Sequence, residues 1–344
     1  MKIESTVLNT TIFKLREDYE GLLQDFLKNK DAKVSSKDTY RKNILQFFLY
    51  LEDQEIELAA CERATILGYK AHLLQQVQAN NFSLLTADNY LNAVKVFISW
   101  LYLEDKLPNI TKDFGTQISI NAEYEGFKKE PLEPDQVKLL LESAKAVIEN
   151  ATRPQHRLAY IRNHAMIYLM VSTGVRSITI TRMLIQDITF LHGTPIIYVQ
   201  RKGRDDKDDF VILEATTHKI INDYLKTRFQ VESTNDLTTL QRQEPLFASH
   251  SNRNNGGAIS CDLIRHLVKQ HLRNIGLDGK VFSTHSLRHT YGMLQLQLTN
   301  DIFQVAENMG HKQLSSTKKY TARQRRKQRL EQYKGMTHLF KKEE

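Results

Sequence analysis

The 344-residue sequence has only two cysteines, Cys61 and Cys261. They show neither metal-ligand spacing nor a disulfide framework, which fits a reducing compartment and makes both small hydrophobes of the interior. No apolar run reaches the roughly 18 residues of a membrane-crossing helix. The N-terminal stretch MKIESTVLNTTIFK also lacks the apolar segment of a signal peptide. A cytoplasmic protein with no membrane partner is expected. Twelve histidines are present, but none in an HExxH or paired Cys/His pattern, so no structural or catalytic metal is expected.

Apolar residues at 41% and charged residues at 26% describe a soluble globular chain, long enough for two domains that each bury a core. The formal net charge of +8 is unevenly spread. Residues 1–120 carry 14 Lys and Arg against 16 Asp and Glu, and residues 121–344 carry 34 against 24. A basic second half suits a polyanionic partner through phosphate neutralisation and counterion release, although a solvated basic surface would give the same balance.

The first hundred residues have helical periodicity. Ile12 to Leu27 is one segment. From Asp38, Tyr40, Ile44, Phe47, Phe48 and Leu51 recur at helical spacing, with Ser35 and Asp38 placed for a capping box. Ile66, Tyr69, Leu73 and Val77 mark a third face, and Tyr90, Val94, Phe97 and Leu101 a fourth. A four-helix bundle over 1–107 follows, with the stripe of Phe47, Phe48, Tyr90, Phe97 and Trp100 read as core. Residues 108–130 lack a sustained period and read as an interdomain linker.

A second domain is expected over 131–335. Pro134 opens a helix whose buried face is Val137, Leu140, Leu141 and Ala144. An apolar helix from His164 to Val171 leads to Gly174, a helix stop that presents Arg176 before a helix from Ser177 to Leu184. Pro195–Arg201 and Phe210–Leu213 read as a β-hairpin around Gly203, and helices are expected at Thr216–Phe229 and Cys261–Ile275. The fold class is therefore mainly α, with a small β-sheet in the second domain.

Chemistry concentrates in residues 282–320, FSTHSLRHTYGMLQLQLTNDIFQVAENMGHKQLSSTKKY, which hold His285, Arg288, His311 and Tyr320. Arg176 and Lys202 complete the set. Two guanidiniums offer planar forks to a phosphate, and two imidazoles can hydrogen-bond its other oxygens or move a proton. A tyrosine hydroxyl beside them has a phosphorus atom to attack, and a covalent intermediate would split one hard displacement into two easier ones.

The strings STGVR (172–176), RKG (201–203), HSLRH (285–289), MGH (309–311) and KYT (319–321), in this order, resemble the tyrosine recombinase (integrase) family. The resemblance implies an N-terminal, SAM-like core-binding domain and an α+β catalytic domain. It also implies a reaction without cofactor. Arg176 and Arg288 would hold the scissile phosphate, and His285 and His311 would hydrogen-bond it, with His285 the better acceptor of the tyrosine proton. Tyr320 would form a 3'-phosphotyrosine, and Lys202 would protonate the leaving 5'-oxygen, with Lys207 in the same loop as its rival. His289 and Tyr291 are read as structural, and Tyr333 as a weak rival nucleophile. The implied partner is double-stranded DNA with paired inverted-repeat half-sites, recombined by a homotetramer through a Holliday junction, with accessory proteins possible in this family and a nucleoid-associated location. The length suits the simple Xer or Cre type.

Candidate DNA contacts are Arg41, Lys42, Arg63, Lys70 and Lys95 in the first domain, Arg253 in a polar loop, and Arg323, Arg325 and Arg326 after the nucleophile. Each is equally readable as a solvated charge. The acidic group Asp205, Asp206, Asp208 and Asp209 is either a solvated turn or a brake on the nearby lysines. Thr179 departs from the family, which usually has an acid three positions after the first arginine; Asp187 is a nearby acid that could compensate. Two other readings are open: a topoisomerase that nicks and rejoins one duplex, and a DNA-binding protein with a vestigial site. Met336, Leu339 and Phe340 in the 336–344 tail have helical spacing and little chain left to cover them, and the family's C-terminal segment often docks into a neighbouring protomer. Deleting 336–344 is therefore expected to weaken cooperative assembly on paired sites more than binding to one half-site; equal losses in a gel-shift titration would count against it.

Overall fold

The structure, a computed structural model, describes residues 17–30, 34–107, 110, 118–120, 129–200, 206–251, 254–310, 317 and 320–321. The chain forms two compact units, Met1–Glu123 and Tyr124–Glu344, and each has its own apolar core.

The first unit contains helices α1 (Glu17–Asn29), α2 (Val34–Asp53), α3 (Arg63–Gln78) and α4 (Leu84–Leu103). Their apolar repeats meet in one core, where Ile44, Phe47, Phe48, Leu51, Ile66, Tyr69 and Phe97 are fully buried. Phe97 packs edge-on against Phe26 and Phe48, at ring-centroid distances of 5.3 and 5.6 Å. The aromatic stripe is core, with Tyr90 and Trp100 at its partly buried margin. Ser83 caps α4 by accepting the Thr86 N–H at 3.2 Å.

Two expectations are corrected here. Ser35 and Asp38 lie inside α2, not ahead of it: the polar first turn carries no apolar period, so the helix starts earlier than its pattern. Ile118 and Ile120 fall in the stretch read as linker, yet both are buried in the core of the first unit. Two isolated apolar residues set no period and are invisible to pattern reading.

The second unit opens with α5 (Pro134–Glu149), which has Pro at its first turn and a reciprocal cap in which the Glu133 N–H donates to Gln136 Oε1 at 3.0 Å. Helix α6 (Pro154–Thr173) is central, packing against α5, α8 (Ala215–Phe229) and α11 (Thr284–Thr299). It begins well before the apolar stretch that revealed it, because its first turns are polar. Helix α7 (Ser177–Ile180) is a single turn, not the helix to Leu184 that was expected. The chain instead pairs with a distant segment: the Leu246 N–H donates to the Met183 carbonyl at 2.8 Å and the Ile185 N–H to the Glu244 carbonyl at 3.0 Å. Those bonds satisfy backbone groups that a longer helix would have used.

Three antiparallel strands follow in the order β1 (Ile188–Leu191), β2 (Thr194–Val199) and β3 (Asp209–Ile212). The expected hairpin is β2–β3; β1 is an addition, joined to β2 through His192 and Gly193, whose φ angles are +49° and +79°. That two-residue turn is the kind that suits strand twist. Ile197, Val199 and Val211 point into the core. Among the described residues, further α-helices are α9 (Thr239–Arg242), α10 (Cys261–Asn274) and α12 (Ile302–Asn308). Cys61 is buried, whereas Cys261, at the start of α10, is only half-buried. Among the described residues no helix is long and apolar enough to cross a membrane.

Inside this unit Arg162 is buried, donating from Nε and Nη2 to Asn163 Oδ1 and from Nη1 to the Ala248 carbonyl. Next to it His250 Nε2 meets the Tyr224 hydroxyl at 3.2 Å. Burial, helped by the charges of Arg162 and Arg228, pushes the His250 imidazole down to about 4. Its folded value lies below the unfolded one, so the unfolded chain binds the extra proton first as pH falls. The stability of the second unit should decline between roughly pH 6.5 and pH 4. His250→Gln, which keeps a hydrogen-bonding atom near Nε2, should flatten that decline in a series of urea melts; an unchanged slope would exclude His250 as its source.

Candidate active site

Helix α6 ends at Gly174, whose backbone is left-handed (φ +63°, ψ 17°) and whose N–H donates to the Met170 carbonyl at 3.0 Å. Only glycine suits this position. A side chain would be strained at that φ, and a Cβ would lie 2.5 Å from Cδ1 of Tyr291. The turn places Arg176 as the N-cap of α7, half-buried.

Helix α11 supplies the other half of the site. Ser283 caps it by accepting the His285 N–H at 3.2 Å, and Thr290 Oγ1 accepts the Leu132 N–H at 2.7 Å, tying the helix to the start of the unit. His285 stands exposed in the first turn. Arg288 is buried, and its two terminal nitrogens reach opposite ends of the site: Nη1 donates to the Gly174 carbonyl at 2.6 Å, and Nη2 donates to the Met309 carbonyl. The planar fork is thereby fixed in orientation.

Tyr320 is 1% exposed and belongs to a small cluster with Met293, Leu296, Val305 and Met309. Its hydroxyl lies 3.0 Å from Nδ1 of His289. Burial pushes the phenol up to about 12, against the opposing pull of the Arg288 and Arg176 charges. At neutral pH this hydroxyl keeps its proton, so its use as a nucleophile needs proton removal as the new bond forms.

The structure therefore brings together Arg176, Arg288 and Tyr320, with His285 on the same helix as Arg288. Lys202, His311, Arg253, Arg323, Arg325, Arg326 and Tyr333 lie outside the described residues, as do the tail residues Met336, Leu339 and Phe340. His289, read as structural, proves to be a direct partner of Tyr320. The pattern signal was its adjacency to Arg288, but nothing in the sequence says which neighbour of an arginine faces a residue 31 positions away. Tyr291 keeps its structural role, packed against Gly174.

Lys207, the rival of Lys202, is engaged elsewhere. Its Nζ lies 2.5 Å from Asp187 Oδ2, an oxygen that also accepts the Leu184 N–H at 2.7 Å. Asp187 is thus committed to this pair and to the turn after α7. In the first unit Arg41 is bound by Glu20 at 2.6 Å, Lys42 is exposed, and Arg63, Lys70 and Lys95 are partly buried.

The family model described as the phage integrase family matches residues 130–327, more than half of the chain. The chain belongs to the phage integrase family. Its members are the tyrosine recombinases. Among curated relatives, a tyrosine recombinase XerC from Caldanaerobacter subterraneus subsp. tengcongensis is 30% identical over 186 residues, covering 54% of this chain and 47% of that protein. A tyrosine recombinase XerD from Staphylococcus epidermidis is 24% identical over 315 residues, covering 91% of this chain and 94% of that protein. Among solved structures, the XerH site-specific recombinase bound to a palindromic difH substrate, a post-cleavage complex, aligns with a TM-score of 0.65 at 22% identity, covering 90% of this chain and 82% of that one. The fold is that of this family.

Thr179, where the family usually has an acid, is buried at 4% exposure. Thr179→Glu would put a carboxylate into this interior, at a cost of about 3 kcal/mol. The variant is expected to melt earlier and to gain no cleavage rate; a faster enzyme of unchanged stability would show that the acid is merely missing.

Proposed function

We propose that the chain cuts and rejoins duplex DNA at specific sites, with Tyr320 as nucleophile. The observation that carries this reading is the convergence of Arg176 and Arg288 on Tyr320, both close enough for their charge to act on the phenol, within the fold of the tyrosine recombinases. Family membership makes the chain a site-specific DNA recombinase. The roles of its residues are the proposal.

In this mechanism Arg176 and Arg288 bind the non-bridging oxygens of the scissile phosphate and stabilise the charge of the pentacoordinate transition state. The Tyr320 oxygen attacks phosphorus while the bond to the 5'-oxygen breaks. His285 takes the phenolic proton, Lys202 gives one to the departing 5'-oxygen to make the 5'-hydroxyl, and His311 hydrogen-bonds the phosphate. The 3'-phosphotyrosine conserves the energy of the broken ester. A 5'-hydroxyl from the partner duplex reverses the step, without cofactor or metal. Because the ion pair with Asp187 occupies Lys207, Lys202 is the better general acid.

The substrate is duplex DNA carrying two inverted half-sites, in keeping with the palindromic DNA named for XerH. A homotetramer working through a Holliday junction, in the cytoplasm at the nucleoid, completes the reading. The biological outcome is integration or excision of a mobile element, or resolution of replicon dimers.

The test is covalent trapping on nicked duplexes tiled across the DNA that flanks the gene. An adduct that survives denaturant and maps to Tyr320 is expected, with Tyr320→Phe giving none. Specific binding with no adduct would instead favour a DNA-binding protein with a vestigial site, and relaxation of plasmid lacking any such site would favour a topoisomerase.

A further inference from the structure

Asp187 is buried and fastens two stretches of chain with one oxygen. Its Oδ2 accepts the Leu184 N–H at 2.7 Å and meets Lys207 Nζ at 2.5 Å. Leu184 ends the stretch that begins with Arg176 at the N-cap of α7. Lys207 stands beyond the last rung of the β2–β3 ladder, where Val199 pairs with Asp209. Residues 200–208 connect the two sides of that rung, and Lys202 is among them. Lys202 lies outside the described residues, whereas Gln200 and Lys207 on either side of it are described. On its β3 side the segment is therefore attached twice, by the ladder at Asp209 and by the ion pair at Lys207.

The plain reading of the pair is neutralisation of a carboxylate. Exposed ion pairs contribute little, but here the side chains are 8% and 28% exposed, and a carboxylate left unpaired at that depth is costly. Any nearby cation would meet that need. This cation comes from the segment that carries the general acid, and its partner from the stretch that follows Arg176. Closing the loop at Lys207 in place of Asp209 shortens it by two residues, which by chain entropy alone is an effect of less than about two-fold. Direction matters more. A proton donor must come within about 3 Å of the leaving oxygen, and a misplacement of about 1 Å can slow a reaction roughly a hundred-fold.

We propose that the ion pair between Lys207 and Asp187 aims the segment bearing Lys202, which makes Lys207 a positioning residue for the general acid. The proposal rests on the role given to Lys202 in the reaction above. Lys207 acts through Lys202 and leaves the phosphate to other groups. The chemistry of the leaving group isolates this role. In the cleavage step the bond from phosphorus to the 5'-oxygen breaks, and the proton from Lys202 makes the 5'-hydroxyl. Where sulfur replaces that bridging oxygen, the group leaves as a stable thiolate and needs no proton. A defect confined to protonation then disappears, and a defect of folding or phosphate binding persists.

The test is the single-turnover rate of adduct formation at Tyr320, on two nicked duplexes that differ only in that bridging atom. Lys207→Met and Asp187→Asn each remove the ion pair in the full chain, and the asparagine keeps an oxygen for the Leu184 N–H. Both should slow cleavage about ten-fold on the oxygen duplex, the factor that a charge-assisted hydrogen bond of the weaker kind represents. Both should cleave the sulfur duplex at the wild-type rate. Because the two changes remove one interaction, the double variant should be no slower than either single one. Lys202→Ala, slowed on oxygen and restored on sulfur, is the reference. Equal slowing on both duplexes would make the pair a structural contact and overturn the proposal, as would wild-type rates on oxygen. Were Lys207 itself the acid, Asp187→Asn would free it and leave the oxygen rate undiminished, which also rejects positioning. If Lys207→Met does not fold, Asp187→Asn decides; if neither folds, the pair holds the fold and the proposal is rejected. A wild type that forms no adduct on either duplex, or a Lys202→Ala variant that sulfur does not restore, rejects the underlying reading and this proposal with it. Restoration of Lys202→Ala beside unrestored variants of the pair rejects the proposal alone.

Discussion

The second unit depends on what Arg288 does with its two terminal nitrogens. One donates to the carbonyl that closes α6 and the other to the carbonyl just after α12, so a single buried side chain joins two segments far apart in sequence. The guanidinium is planar and permanently charged, so both acceptors must lie in its plane. A lysine would be a point charge on a flexible stem and could not fix two carbonyls in one geometry. The left-handed turn at Gly174 serves this constraint, because it presents to α11 the carbonyl that accepts from Arg288. The position of Arg176, two residues further on, follows from the same turn.

Burial also sets the chemical character of the site. A phenol pushed up to about 12 is a poor source of phenolate at neutral pH, and two nearby guanidiniums only partly offset that burial. The protein therefore keeps the Tyr320 oxygen protonated at neutral pH. In the proposed reaction a phosphate placed between the arginines would change the local charge, and His285 would take the proton. On that reading the resting site and the reacting site would differ electrostatically, the difference supplied by the substrate.

Much of this was legible in the sequence, for identifiable reasons. Apolar residues at helical spacing located α2, α3, α4 and α5, and the Gly174 stop and the β2–β3 hairpin were legible from turn chemistry. Arg176, Arg288 and Tyr320, which the structure brings together, stood out in the sequence because their types and order resemble those of a known family; Lys202 and His311 lie outside the described residues. What was not legible depended on contacts between distant segments. The shortening of α7 results from pairing with Glu244 and Leu246, far along the chain. Strand β1 is short, with two of its four residues exposed, so it lacks a clear alternating signature. The partnership of His289 and Tyr320 requires α11 to bring one helical face to a residue 31 positions later, and no local pattern encodes that.

Gly174 also bears on how tolerance to substitution in this chain should be interpreted. Its backbone conformation and the ring of Tyr291 together leave room for hydrogen alone. In a scan of every substitution, position 174 would fail as completely as the residues that handle DNA, although glycine has no side chain with which to handle anything. Intolerance two positions before Arg176 would then mark a packing limit and not a reacting group. Loss of function in the STGVR segment is therefore a map of shape as much as of chemistry, and the two separate only when folded protein is counted alongside activity.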